Sequence, residues 1–327
     1  MNIVKALEEL TLEGIEGNHD HVIETVLSKL FVRGEVVHKA YKHRTADFAD
    51  LADSAVRRAY IGEDFFWNNA MAPDIYQELR SVKQDDGQFI HTDSHDAEDW
   101  YIVMKKIDTT RDLMRTLESG APSPTQLREY VQVLLRRLED LTQVRRSGLL
   151  EFFDKGVAHV HDEVLGTMGW AYTADPHLSV ADIERAETLL RSAINSEQYF
   201  QQPIETLSVV IDVNAENILF LDTGVSFIDV MPPKDAWRVH DHYFIVCRTS
   251  ADVSALHKAQ LADVIHEAYG EAHARPSEVV RVVYEIAAAL IQAPYRKMVG
   301  REDLAQKYAE FIRRRSNDLE KLLQGVA

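Results

Sequence analysis

The spacing of apolar positions changes character part-way along the chain. Before about residue 107 it is mixed and strand-like; after it, apolar residues recur mostly three and four apart. Two lobes are therefore expected, residues 1–104 and 105–327, meeting where the apolar run Asp99-Trp100-Tyr101-Ile102-Val103-Met104 gives way to the polar stretch from Lys105 to Thr110. In the first lobe, β-formers at 26–32 and 35–42 flank Arg33-Gly34, which predicts a β-hairpin. A proline-free stretch from Asp47 to Ala70, with Leu51, Ala55, Ala59 and Phe66 at helical spacing, predicts a helix that Ala72-Pro73 stops.

The second lobe reads as mainly helical. Ser123-Pro124-Thr125-Gln126 is a capping-box start with proline at the first helical position, and Leu127, Val131, Leu134, Leu138 and Leu141 follow on one stripe to an end near Gly148. Ser179 and Asp182 mark a second box before a helix through Leu190, and the tail from Pro276 carries Val279, Val283, Ile286 and Leu290 at helical spacing. One β island interrupts the helices: 207–212, then 217–221, a turn Asp222-Thr223-Gly224, and 225–229. Glycine in that turn supplies a positive φ. The pattern as a whole predicts an α+β chain.

Composition narrows the class. With 36 Lys and Arg against 53 Asp and Glu, the net charge of -17 repels polyanions and argues against a nucleic-acid partner. The one cysteine, Cys247, cannot form an internal bridge, and the acidic start lacks a signal-peptide layout, so a cytoplasmic location is expected. No apolar run reaches the length of a membrane span.

Three polar residues frame the β island: Asp212 ends its first strand, Asn217 opens its second, and Asp229 ends its third. A hairpin folds Asn217 and Asp229 toward each other, and a carboxylate with an amide carbonyl makes a hard-oxygen donor pair suited to Mg²⁺. Asp-x-x-x-x-Asn, a hairpin and then Asp is an arrangement used for phosphoryl transfer, which makes Asp212 the candidate base. Asp and Asn are also ordinary turn-formers. Such a site needs in addition a strand lysine and a helix acid; Lys39 and Glu63 occupy those places, with Lys42 and Asp64 as alternatives in register.

These residues resemble the protein-kinase-like superfamily, and within it the bacterial aminoglycoside-phosphotransferase-like enzymes. The resembling stretches are 30–39, 57–64 leading to Asn68-Asn69-Ala70-Met71-Ala72-Pro73-Asp74-Ile75-Tyr76, and 100–106. The resemblance implies a two-lobed kinase-like fold: a small lobe of antiparallel sheet plus one helix, and a mainly helical large lobe with a short β-hairpin. It implies ATP, or another nucleoside triphosphate, with Mg²⁺ as cofactors. The adenine would meet a hinge at Met104, Lys105, Lys106 and Ile107 through backbone. Lys39 looks like the phosphate-anchoring lysine and Glu63 like its helix partner, Asp212 like the catalytic aspartate, Asn217 and Asp229 like the metal ligands. The implied activity is transfer of the γ-phosphoryl group to a hydroxyl of a small molecule, and an acidic large lobe suits a cationic acceptor such as an amino-sugar. The oligomeric state is not fixed by these features.

The departures define a rival reading. Val210-Ile211-Asp212 stands where the family has His-Gly-Asp or His-Arg-Asp, Val230-Met231-Pro232-Pro233 follows Asp229 in place of Phe-Gly, and no Gly-x-Gly-x-x-Gly precedes Lys39. A nucleotide-binding pseudokinase acting as a regulatory module is the alternative. The pairs His159/His161 and His240/His242 sit at i and i+2 and do not make the helical zinc motif; Cys247 lies in an apolar run as an inert thiol; Arg136-Arg137, Arg145-Arg146 and Arg313-Arg314-Arg315 read as solvated helix faces.

Overall fold

The computed structural model describes residues 2–325 except 16–17, 47–48, 145–146, 176, 201–203 and 257. The Arg145-Arg146 cluster and Asp47 thus lie outside the described residues. The chain divides into two units, Met1–Thr109 with Ser226–Pro233, and Thr110–Val225 with Lys234–Ala327. The first extends past the expected junction at residue 104 because the amides of Lys105 and Lys106 donate to Ile75 O and Glu35 O, both at 2.8 Å, and so continue the sheet.

The first unit comprises α1 (Ile3–Glu8), β1 (His21–Glu24), β2 (Ser28–Arg33), β3 (Val36–Tyr41), the two-residue strands β4 (Thr45–Ala46) and β5 (Ala49–Asp50), α2 (Ser54–Met71), β6 (Tyr76–Asp85), β7 (Gln88–His91) and β8 (Asp99–Lys105). Six strands form one antiparallel sheet in the order β1-β2-β3-β8-β6-β7. The hairpin of β2 and β3 pairs Arg33 with Val36, so Gly34, at φ +55°, sits in a turn one residue later than expected. β3 is buried along almost its whole length because both faces of the sheet are covered. On one side Ile3, Val4, Ala6 and Leu7 of α1 pack with Phe31, Ala40, Tyr101 and Val103. On the other lies α2, where Gly62 approaches Trp100 so closely that a Cβ would stand 2.9 Å from its ring. Alternation along β3 then turns His38 and Ala40 toward α1, and Lys39 and Tyr41 toward α2.

Helix α2 starts at Ser54, later than periodicity alone placed it, because Asp53 caps it by accepting from Ala55 N and Val56 N at 2.8 and 2.9 Å. Its first turn is pinned by the buried pair Arg57–Asp99, 2.9 Å, with Asp99 on β8.

The second unit holds α3 (Leu113–Ser119), α4 (Pro124–Gln143), α5 (Leu150–Lys155), α6 (Val157–Gly166), α7 (Met168–Ala171), α8 (Val180–Ile194), β9 (Leu207–Val209), β10 (Ile218–Leu221), β11 (Gly224–Phe227), β12 (Val239–Asp241), α9 (His242–Ala255), α10 (Ala259–Ala272), α11 (Glu278–Met298) and α12 (Glu302–Leu323), with β11 carrying the chain out of it. Both capping boxes form, at Ser123 with Gln126 and at Ser179 with Asp182. The β island is corrected. β9 stops at Val209 and pairs antiparallel with β12, not with the hairpin of β10 and β11, so Asp212 lies in a loop beyond a strand end. No helix among the described residues is long and apolar enough to cross a membrane.

Candidate functional site

The first unit builds a cluster around Lys39. Its ammonium is almost fully enclosed and reaches Asp64 Oδ2 at 3.0 Å and Asp229 Oδ1 at 3.3 Å, with the Tyr41 ring beneath it. Burial works against the charged form, but the attraction of Asp64, with Tyr41 and Asp229 behind it, outweighs it and raises the Lys39 pKa well above the ordinary lysine value. Lys42 points away and pairs with Glu24 at 2.7 Å.

The helix partner is Asp64, not Glu63. One residue turns the side chain by about 100° around a helix, and Glu63 instead accepts from Trp67 Nε1 at 3.2 Å. The shorter acid reaches the lysine because α2 lies close against the sheet. Asp64 is itself held by Asn68, whose Nδ2 donates to Asp64 Oδ1 at 2.9 Å.

Asp229 is in the left-handed region, φ +51°, where a side chain is disfavoured. Two buried groups hold the backbone there. Asp229 N donates to Tyr76 Oη at 3.1 Å, and Val230 N donates to Asn68 Oδ1 at 3.0 Å. Asn68 and Tyr76 bound one of the stretches that carry the resemblance, but neither is assigned a role by motif or periodicity. Asn68 does stand four residues after Asp64, the helical spacing for a contact.

Met104 is buried at the end of β8, while Lys105 and Lys106 are exposed and their amides are already engaged with the sheet. Both amides thus already have backbone acceptors within the first unit.

The second unit builds a loop from Asp212 to Asn217. Arg248 Nη2 of α9 donates to Asp212 Oδ1 at 2.5 Å, and Ala215 N donates to the buried Asp252 Oδ2 of the same helix at 2.9 Å. Tyr308 of α12 donates to Asp252 Oδ1 at 2.6 Å. Arg296 of α11 reaches Glu216 Oε1 at 2.5 Å, and Asn214 caps the turn that contains Asn217. Arg248 and Asp252 lie 36 and 37 residues from their partners, and no local pattern marks them.

Elsewhere the chemistry is closed. Among the described residues no group of three or more His, Cys, Asp or Glu is arranged to hold a metal ion. His159 bonds Ala236 O at 2.7 Å, and His240 stacks on Phe244 with ring centroids 4.3 Å apart. Ser250, His266 and Glu285 form a hydrogen-bonded group, but Ser250 is wholly buried and Glu285 is surrounded by Arg281 and Arg315. Arg315 thus departs from the solvated face expected of its cluster, because it reaches inward to that buried acid. Cys247 is wholly buried and burial pushes its thiol up.

No protein-family model matches the chain, and neither does any curated protein. Solved structures do. APH(2")-IIia, solved with GDP and kanamycin, superposes with a TM-score of 0.52 at 11% identity, over 97% of this chain and 99% of that one. Choline kinase from Cryptosporidium parvum Iowa II gives 0.50 at 11% identity, over 99% and 97%. A thermostable mutant of aminoglycoside phosphotransferase APH(4)-Ia, in ternary complex with ADP and hygromycin B, gives 0.50 at 12% identity, over 97% and 98%. The chain is an α+β protein with the protein-kinase-like fold of these phosphotransferases, in a strongly divergent sequence.

Proposed function

We propose that the chain is an ATP- and Mg²⁺-dependent phosphotransferase acting on a hydroxyl of a small molecule. The observation that carries this reading is the enclosed lysine: Lys39, from a sheet strand, lies between the helix acid Asp64 and the carboxylate of Asp229. A lysine so placed keeps its charge and is oriented before a ligand arrives. One ammonium against two carboxylates leaves a negative excess, which fits a bound cation. Asp229 and Asn217 supply the hard oxygens that Mg²⁺ accepts. Mg²⁺, when bound, neutralises charge on the phosphoryl oxygens in transfer.

In this reading Lys39 anchors the nucleotide phosphates, with Asp64 fixing its rotamer. Asp212 takes the proton of the acceptor hydroxyl as the new oxygen–phosphorus bond forms. The bond from the γ-phosphorus to the bridging oxygen breaks, and ADP leaves with that electron pair. The acceptor is a small molecule, and the enzyme works in the cytoplasm, where ATP is available. The kanamycin and hygromycin B complexes of the neighbours make amino-sugars the first acceptors to try.

A second reading, a nucleotide-binding regulatory module without turnover, is favoured by one contact. Arg248 neutralises Asp212 at 2.5 Å in a loop that carries Val210 where the related loops carry histidine. The two readings separate in one experiment. Calorimetric titration with ATP, with and without Mg²⁺, followed by ATP turnover over a broad acceptor panel, is run on wild type and Asp212→Ala. Mg²⁺-dependent binding with turnover lost in the variant supports the enzyme. Binding with no turnover in either protein supports the regulatory module, and absence of nucleotide binding overturns both.

A further inference from the structure

We infer that Asn68 and Tyr76 are positioning residues that lock the backbone at Asp229 and so set its carboxylate for metal binding; this rests on the nucleotide reading above. Asp229 stands at φ +51°, a conformation that is costly for a residue with a Cβ, although aspartate tolerates it better than most. Left to relax to negative φ, it would swing its Cα–Cβ bond away and take the carboxylate off Lys39. Val230 and Met231, which follow Asp229, offer no side-chain donor and at most a weak sulfur acceptor.

The brace comes from residues far off in sequence. Tyr76 Oη accepts from Asp229 N at 3.1 Å, and Asn68 Oδ1 accepts from Val230 N at 3.0 Å. Both side chains are almost wholly buried, so water does not compete for these amides. Each is fixed in turn. Asn68 spends its Nδ2 on Asp64 Oδ1 and Asp64 O, both at 2.9 Å, which leaves its oxygen as the acceptor facing Val230. Tyr76 begins β6, and its backbone is tied by Tyr76 N to Ala72 O at 3.0 Å and by Asn69 Nδ2 to Tyr76 O at 2.6 Å. One asparagine therefore touches the acid that holds Lys39 and also the chain that carries Asp229. Lysine, helix acid and metal-binding aspartate become one rigid constellation.

Tyr76→Phe is the test, because it deletes one acceptor and keeps the ring that fills the core. The readouts are the Mg²⁺ concentration at half-maximal binding of a non-hydrolysable ATP analogue, the affinity for that analogue without metal, and amide hydrogen exchange at Val230 in the ligand-free protein. The Mg²⁺ midpoint is expected to rise about fivefold, the worth of one hydrogen bond, while metal-free affinity stays within about twofold. Exchange at Val230, whose own partner Asn68 is untouched, is expected to quicken. Asn68→Ala should shift the midpoint in the same direction, and if it fails to fold the tyrosine variant decides alone. A merely structural role would lower the melting temperature and leave the Mg²⁺ midpoint where it was; that result overturns the inference and spares the nucleotide reading. No Mg²⁺ dependence in wild type overturns the reading itself, and the inference with it.

Discussion

The Lys39 cluster and the Asp212 loop are held in opposite ways. Around Lys39 the partners are close and mutually satisfying: a lysine, two carboxylates, an asparagine and a tyrosine, with Lys39, Asp64, Asn68 and Tyr76 buried among apolar neighbours. Around Asp212 the carboxylate is about a third exposed and is ion-paired to Arg248, while the loop behind it hangs on Asp252 and Arg296. The first arrangement is part of the core and cannot be altered without strain. The second is a loop mounted on a core, where a side chain can change with little loss of stability. On the proposed function, the groups that would bind nucleotide are therefore coupled to folding, and the group that would act as base is separable from it.

Lys39→Met should break that comparison most visibly. Removing the cation leaves Asp64 buried beside Asp229 with no compensating charge, and the expected cost is about 3–5 kcal/mol of stability, read as a fall in denaturant midpoint. Nucleotide binding should be lost as well. Adding Asp64→Asn to Lys39→Met should restore much of the stability and none of the binding. A single variant that melts like wild type would show that the buried pair is not what holds α2 to β3. Asp212→Asn should do the reverse: the melting temperature moves little, and turnover falls about 10²–10⁴-fold in the range of general-base loss, measured as kcat in a coupled ATPase or acceptor assay.

The same contrast governs what the sequence made legible. The β2/β3 hairpin, α2, β8 and both capping boxes rest on local signals, a Gly-containing turn, a spaced apolar stripe or a serine cap, and each formed close to where it was expected. Lys39 was readable because it lies in that hairpin. Asp64 was within one residue of being chosen, and what decided it was helix rotation, which depends on how closely Gly62 lets α2 approach Trp100. The strand pairing of β9 was misread because its partner, β12, follows an intervening hairpin and a turn. α1 was missed altogether: a six-residue helix has little periodicity of its own, and its stability comes from the sheet face it covers. Arg248, Asp252, Asn68 and Tyr76 act across tertiary contacts that no local window contains.

Arg248→Met sharpens the comparison on the loop side. Asp212 keeps its place on the backbone, since Asp252 still accepts from Ala215 N, but loses the guanidinium that fixes its rotamer. A positioning role predicts about a tenfold fall in kcat with KM for ATP unchanged, a smaller effect than loss of Asp212 itself. Under the regulatory reading the same variant, relieved of a neutralising arginine, gains turnover instead.

Acid should expose a weakness the two regions share. Beside Lys39 on β3, His38 is pushed down to about 4 by burial, with Arg80 the next cause. On β12, the strand that pairs with β9 ahead of the Asp212 loop, His240 is pushed down to about 3 by burial, with His159, Arg248 and His161 adding repulsion, and its Nδ1 accepts from Asp241 N at 2.9 Å. His242, two residues on, is pushed down to about 4 by burial and by His273. In each case the folded value lies below the unfolded one, near 6.5, so the unfolded chain takes up the proton first. The stabilisation is fully present above pH 6.5 and drains away as pH falls toward the folded values. Between pH 6.5 and 5.5 the wholly buried His240 should account for about 1 kcal/mol, measured by denaturant titration at each pH. His240→Phe preserves the stack on Phe244, removes the group that must stay neutral, and should flatten that part of the profile. A variant with the wild-type slope would mean that the strand behind the Asp212 loop tolerates a charged imidazole, and that the loop is mounted less rigidly than the Lys39 cluster on both counts.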